Sequence, residues 1–236
     1  MKNVCIVAPN NCKESASFLA KELNIPLFLN ETRDLRMFDL VFNYGMGSGF
    51  PYNKVINRPE SVGICINKIS TLKRLKNCST ITWTQSRERA REWLDSDGCV
   101  VIRKLETGSQ GKGMVVCENL ETFMNTSGKF YTRVFNHSIE LRVNVFKNKI
   151  LSVYEKTREE TKGELLFNFN FLDIKDKHPA IEEMIKDIAQ NINIDFYGMD
   201  ILVNSKGTYR LLEVNSGPIL HEETCEALIK ELKKEK

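Results

Sequence analysis

Three groups of residues have the types and spacing to do chemistry. The first lies on two strand-like segments, Tyr197–Val203 and Tyr209–Asn215, which carry Asp200, Glu213 and Asn215. A two-residue turn at Lys206-Gly207 would join them and pair Ser205 with Thr208. Counting back sets Asp200 opposite Glu213, Ile201 opposite Leu212 and Leu202 opposite Leu211. Directly opposed side chains have Cβ atoms roughly 4.5–5.5 Å apart on one face. Asn215, two residues beyond Glu213, shares that face. With apolar pairs alongside, the two carboxylates repel unless a cation joins them or one is protonated. Oxygen-only ligands suit Mg²⁺, which usually keeps waters and substrate phosphates in its shell. The metal reading is preferred to a protonated or solvated pair.

The second group is a glycine-rich loop, Thr107-Gly108-Ser109-Gln110-Gly111-Lys112-Gly113, between strands Cys99–Arg103 and Met114–Cys117. Glycines let backbone N–H groups approach an anion, and Thr107, Ser109 and Lys112 add donors and charge. The loop has no GxxxxGK[ST] pattern and leads into a strand, so it is not a Walker A loop. Taken alone it reads equally well as a mobile hairpin tip. A second loop, Gly45–Gly49, lacks adjacent basic residues and reads as a substrate-side loop or a plain turn.

The third group is a strand pair, Ile139–Lys147 and Ile150–Lys156. Matching Leu141, Val143 and Val145 to Leu151 and Val153 fixes the parity of the register. Arg142, Asn144, Tyr154 and Lys156 then share the other face. An Arg and a Lys converging there suit a phosphate or an oxyanion. The plainer reading is an exposed face with Glu140 or Glu155 as ion-pair partners. The three histidines, His137, His178 and His221, do not cluster, and no Ser/His/Asp or Cys/His arrangement stands out. His221 follows Asn215–Pro218 closely enough to border a site, but reads as a surface residue.

Positioning these groups takes a mixed fold. Val4–Ala8 is a short apolar strand, and Lys13–Leu23 places Ala16, Leu19, Ala20 and Leu23 at helical spacing. Asp39–Tyr44 and Val62–Ile66 read as strands, Lys68–Lys76 and Gln85–Leu94 as helices, and residues 128–156 mostly as strand. Pro179 suits the first turn of a helix over Ala180–Ile192. The Asp200/Glu213 hairpin follows, then a last helix over about Ile219–Lys234 whose Lys/Glu run is a solvated face. The β-α-β alternation of the N-terminal third suggests a small three-layer α/β lobe.

Length and charge agree. The chain has 236 residues, 42% hydrophobic and 28% charged, the profile of a folded chain rather than a disordered one. Its formal charge of +3 gives no electrostatic ground for a nucleic-acid or membrane partner. No apolar run is long enough to span a bilayer, and Val4–Ala8 is too short for a signal-peptide core. The seven cysteines are scattered without a CxxC pair, which points to reduced thiols and a cytoplasmic setting rather than a disulfide framework or zinc site.

The order of the motifs, a strand–glycine loop–strand, then an Arg- and Lys-bearing sheet, then a D…ExN strand pair, resembles the ATP-grasp fold. Within that superfamily the chain resembles the phage-associated carboxylate–amine ligases related to the ribosomal-protein glutamate ligases, from about Phe42 to Ala227. Asn43-Tyr44-Gly45 looks like that branch's Asn-aromatic-Gly turn, Asn57-Arg58-Pro59-Glu60 like its Asn-x-Pro segment, and Asn67-Lys68 like the opening of its central lobe. Glu140-Leu141-Arg142-Val143 resembles its acidic-x-Arg-Val signature, and Glu155-Lys156-Thr157-Arg158 its basic cluster. The N-terminal lobe is short, so acceptor recognition is reduced or supplied by a partner. Phe167-Asn168-Phe169-Asn170-Phe171 is aromatic where relatives often carry a more basic or glycine-rich segment.

The resemblance implies an α/β (α+β) ATP-grasp architecture: an N-terminal pre-ATP-grasp lobe over 1–66, a central lid subdomain over 67–130, and a C-terminal subdomain with the metal site over 131–236. It implies that Lys68, Arg103 and the lid residues Thr107, Gly108, Ser109, Gly111, Lys112 and Gly113 hold ATP phosphates, with Lys104 competing for the role of Arg103. The backbone around Thr132, Arg133 and Val134 would hold adenine. Asp200, Glu213 and Asn215 would bind Mg²⁺, two ions in all. Arg142, Lys156 and Arg158 would be catalytic, and Asn43 and Gly45 would lie toward the substrate. The implied reaction is ATP-dependent ligation of a small-molecule or peptide carboxylate to an amine through an acyl phosphate. A small-molecule kinase and a non-catalytic ATP-binding module acting on a protein partner are the alternatives. A homodimer is left open.

Overall fold

A computed structural model describes residues 3–75, 78–107, 112–161, 164–172 and 178–235, with residues 158–161 and 164–167 described by their backbone alone. The first third forms a four-stranded parallel sheet, β1 (Val4–Ala8), β2 (Leu27–Leu29), β3 (Leu40–Asn43) and β4 (Val55–Ile56), in the order β2-β1-β3-β4. Helix α1 (Lys13–Leu23) turns Ala16, Leu19, Ala20 and Leu23 onto it, as the spacing predicts, and Asn24 ends the helix in the left-handed conformation.

Helix α2 (Pro59–Ile66) occupies the place where Val62–Ile66 reads as a strand. An apolar run this short fits a buried strand or a buried helix equally. Pro59 settles it: proline at the first helical position presets φ and lacks only an N–H that would have no helical partner. Helix α3 (Lys68–Arg74) starts at once, capped by Asn67, whose side chain accepts from Ser70 N.

A second sheet contains β5 (Trp83–Thr84), β6 (Val100–Arg103), β7 (Met114–Cys117) and β8 (Phe130–Arg133), in the order β5-β8-β6-β7. Helices α4 (Arg87–Asp97) and α5 (Leu120–Asn125) cover one face, packing Ala90, Trp93, Leu94 and Phe123 on Val100, Ile102, Cys117 and Tyr131.

The third sheet has five strands: β9 (Ile139–Phe146), β10 (Lys149–Thr161), β11 (Glu164–Leu172), β12 (Phe196–Val203) and β13 (Tyr209–Asn215), ordered β11-β10-β9-β12-β13 and all antiparallel. Its odd-numbered face on β9 and β12 is apolar and is covered by α6 (Pro179–Asn191) through Ile181, Met184, Ile185 and Ile188. Its even-numbered face is mixed. At one end, Phe146 and Phe196 pack under Phe42, Tyr44 and the last helix, α7 (Glu222–Glu235). At the other, Leu202 joins Ile69, Leu72, Ile81 and Phe130 beneath the second sheet. The polar residues lie between these two apolar plugs.

All seven cysteines are free. Burial pushes the Cys5 and Cys65 thiols up to about 12, so both behave as small apolar residues. Among the described residues no helix is long and apolar enough to cross a membrane.

Candidate functional site

Arg142 lies on β9, the middle strand of five. The register sets it opposite Tyr154 on β10 and Asp200 on β12, and Asp200 in turn opposite Glu213 on β13. The expected Asp200–Glu213 pairing is therefore present, but by a different route. The turn is not two residues long: Asn204 pairs with Thr208 by its backbone, its side chain accepts from Lys206 N and Thr208 N, and Gly207 takes φ +73°. That shift pairs Ile201 with Leu211 and Leu202 with Arg210, instead of the expected Leu212 and Leu211. A bulge between Asp200 and Ile201 then restores the register, with Leu212 as the extra residue. Two irregularities of one residue each cancel at Asp200.

The charges on this face answer one another. The Arg142 guanidinium grips both Asp200 oxygens, Nε on Oδ1 and Nη2 on Oδ2. Lys156 Nζ donates to Glu140 Oε1 at 2.6 Å and reaches Asp200 Oδ2 at 3.4 Å. From the first turn of α3, Lys68 Nζ donates to Glu213 Oε2 at 2.6 Å. Burial alone would push the Asp200 carboxyl up, but the Arg142 and Lys156 charges outweigh it and hold the group below the usual carboxylate range. Asp200 is thus an anion joined by protein cations, not half of a protonated pair.

Among the described residues there is no group of three or more His, Cys, Asp or Glu side chains fit to hold a metal. Asp200 and Glu213 supply two carboxylates, and Asn215 an amide on the same face. This oxygen-only, incomplete set fits Mg²⁺, whose remaining ligands are commonly waters and substrate phosphates. Lys68 and Arg142 already show that cations sit favourably on these two carboxylates.

Strand parity separates Arg103 from Lys104. Arg103 lies opposite Met114 and Phe130, on the face of the second sheet whose Phe130 packs toward Leu202 of the third. Lys104 is exposed, and its charge acts on Cys117, in the core on the opposite face. Arg103 is the cation on the face turned toward the third sheet. Below the loop, Lys104 N donates to Gly113 O at 2.7 Å and Lys68 N to Glu106 O at 2.8 Å, so the hairpin neck is tied to the start of α3. Asn67 Nδ2 adds a bond to Glu106 Oε2. Thr107 and Lys112 are exposed at the loop ends, and Gly113 takes φ +72°. Gly108, Ser109 and Gly111 lie outside the described residues. Thr132 is buried within the ladder; Arg133 N donates to Thr82 O and its guanidinium to Asp97 of α4, while Val134 lies past the strand end.

Asn43 and Gly45 are engaged within the fold. Asn43 is fully buried, and its amide is spent on its own turn, accepting from Met46 N and donating to Met46 O. Gly45 packs on Gly217: a Cβ on Gly45 would stand 3.6 Å from Gly217 Cα and 3.4 Å from Cys12 Sγ. The Tyr44 hydroxyl donates to Pro218 O, and the Cys12 thiol to Gly217 O. This turn props the Ser216–Pro218 loop that follows Asn215. Asn57 plays a similar part: at φ +64° its side chain accepts from Asp195 N and Phe196 N and donates to Phe196 O, fixing the start of β12.

The sequence reading placed His221 at the surface and missed β11; the structure corrects both. Phe169 pairs with Lys156 and Phe171 with Tyr154, so the Phe/Asn alternation is a strand with its rings on the Arg142 face. The His221 ring lies 4.9 Å from that of Tyr154 and 4.7 Å from that of Phe169, with Nε2 buried and without a hydrogen-bond partner among the described residues. The period-two FNFNF run was the signal for this strand; the histidine was marked by its closeness in sequence to Asn215–Pro218. Arg158 is in β10 by its backbone, opposite Phe167; its side chain lies outside what is described.

No protein-family model and no curated protein sequence matches the chain. In three dimensions it is similar to the ATP-grasp ligase PsnB in complex with a minimal precursor, with TM-score 0.72 and 13% identity over 99% of both chains. PsnB has also been solved with a phosphomimetic variant of that precursor, Mg and ADP. D-alanyl-alanine synthetase A from Vibrio cholerae matches with TM-score 0.71 and 13% identity over 99% of this chain and 98% of that one. The macrocyclase MdnC from Microcystis aeruginosa, bound to precursor peptide MdnA, matches with TM-score 0.68 and 12% identity over 98% and 99%. These likenesses cover nearly the whole chain, and its fold is the ATP-grasp fold.

Proposed function

We propose that this chain is an ATP-dependent ligase that joins a carboxylate to an amine and releases ADP and phosphate. The observation that carries the reading is the directly opposed Asp200–Glu213 pair, engaged by Arg142 and Lys68, on a sheet face that the Arg103 hairpin overlooks. The PsnB complex with Mg and ADP supports the same reading by likeness.

In this reading Asp200, Glu213 and Asn215 hold Mg²⁺, which offsets charge on the ATP phosphates. Lys68 and Arg103 bind those phosphates, and Thr107 and Lys112 close over them. A substrate carboxylate oxygen forms a bond to the γ-phosphorus as the bond to the β-phosphate oxygen breaks, giving an acyl phosphate and ADP. The amine nitrogen then bonds to the carbonyl carbon, loses a proton, and phosphate leaves. Arg142, with Lys156 beside it, stabilises the transferring phosphoryl group and the tetrahedral oxyanion from a site where it needs no reorganisation. A peptide is a natural bearer of one partner, since PsnB and MdnC are seen with precursor peptides.

The test is ADP release with Mg²⁺ across a panel of amino acids and peptides, with product masses. A product lighter by one water than its two parts, formed only with both partners, supports the ligase. A stable phosphate ester would make it a kinase. Tight ATP binding without turnover across the panel would point to a non-catalytic module, and absence of ATP binding would overturn the assignment.

A further inference from the structure

The charged row of the site continues into an aromatic one that the reaction above does not use. Moving outward from Asp200, each step crosses one strand: Arg142 on β9, Tyr154 on β10, Phe171 on the edge strand β11. Strands lie about 4.8 Å apart, so Phe171 stands two steps, about 10 Å, from Arg142. Phe169 lies one pair along, beneath the Arg142 guanidinium, whose Cζ is 5.7 Å from the ring centre. His221 closes the wall by packing on both Tyr154 and Phe169.

Two features are complementary to a partner from outside the chain, and a third favours its charge. Phe171 is 46% exposed, whereas Asp200, three strands away on the same face, is 4% exposed. His221 Nε2 is buried with no partner among the described residues, and a buried polar atom in that state is costly until something answers it. Arg142, whose fork is held by Asp200, puts positive charge at the same corner, which favours an anion there. A carboxylate accepts from both a guanidinium and an imidazole N–H; a ring beside it would stack on Phe169 and Phe171.

We propose that Phe169, Phe171 and His221 form the side-chain pocket of the carboxylate substrate, that this side chain is aromatic, and that His221 Nε2–H donates to its carboxylate. The proposal rests on the ligase reading and adds the substrate class.

The test uses the full chain with Mg²⁺ and a non-hydrolysable ATP analogue, and ligand-observed saturation-transfer NMR with L-phenylalanine, a Gly-Phe dipeptide and L-glutamate. The expected result is transfer to the phenylalanine ring, free or at a peptide end, and none to glutamate; which of the two binds identifies the source of the carboxylate. Loss of the Phe171 ring in Phe171→Ala should weaken binding about tenfold. His221→Phe, which keeps a ring and removes the donor, should weaken it by a similar factor, and His221→Gln should recover most of it. Nucleotide affinity should not change in any of the three. Glutamate binding as well as phenylalanine, or Phe171→Ala binding like the wild type, overturns the proposal. Trapping with hydroxylamine tests the layer beneath: phenylalanine bound without any hydroxamate removes the ligase reading and leaves the pocket, whereas hydroxamate formed from glutamate in preference to phenylalanine removes the pocket and leaves the ligase.

Discussion

The two ends of the five-stranded sheet share one face and differ in how their side chains are satisfied. Across β9, β12 and β13, Arg142, Asp200 and Glu140 are answered inside the protein, with Lys156 reaching over from β10 and Lys68 from α3 to Glu213. Across β10 and β11 the same face carries Tyr154, Phe169, Phe171 and His221, with one ring exposed and one buried ring nitrogen unanswered among the described residues. The charged end is preorganised: its geometry is set during folding and needs no ligand to hold it. The aromatic end is complementary to something the chain does not contain.

Substitutions can break that contrast. The largest effect is expected from Glu213→Ala. ADP release should fall about a hundredfold or more, with the thermal midpoint nearly unchanged, because Glu213 and Lys68 keep side-chain exposures of 24% and 21%. Arg142→Ala should cost both activity and fold. It removes the main partner of a buried carboxylate, a loss worth about 3 kcal/mol, seen in a chain of this size as a fall of roughly 10 °C in Tm. Replacing the pair together, Arg142→Met with Asp200→Leu, should recover most of that stability and none of the turnover.

Smaller effects sharpen the comparison. Lys68→Met should raise the KM for ATP about tenfold by removing one charge-assisted contact. It should also tighten Mn²⁺ binding measured without nucleotide, because Glu213 is then released from its ammonium partner. Phe171→Ala should leave the unfolding free energy from urea titration within about 0.5 kcal/mol of wild type, as for an exposed surface residue. A large loss of stability there would mean that the aromatic end is core and not a binding wall.

Local patterns made part of this legible. The hairpin carrying Asp200 and Glu213 is short, and β9 alternates strictly, so the Arg142–Tyr154 pairing follows from counting; a bulge between Ile150 and Ser152 puts Ile150, not the expected Leu151, on the apolar face. Counting succeeded at Asp200 only because the longer turn at Gly207 and the extra residue at Leu212 offset one another; neither is visible in the apolar pattern. Val62–Ile66 failed as a strand because a short apolar run carries no period, and the bonds of the Asn43 amide to Met46 were not legible because an amide's partners cannot be read from its neighbours. Arg103 and Lys104 are adjacent, and only the register of β6 on β7 and β8 tells which lies on the face turned toward the third sheet.

What the residues alone determine here is what sequence neighbours decide: which segments alternate, where proline and glycine punctuate, and which side chains share a strand face. The tertiary structure decided what meets across the chain. Lys68 and Glu213 are 145 residues apart, Arg142 and Asp200 58, and His221 reaches Tyr154 only once α7 is docked on β10. Such contacts depend on how whole layers pack, and packing is set by apolar burial summed over many residues. A single side chain's type does not report where that sum will place it.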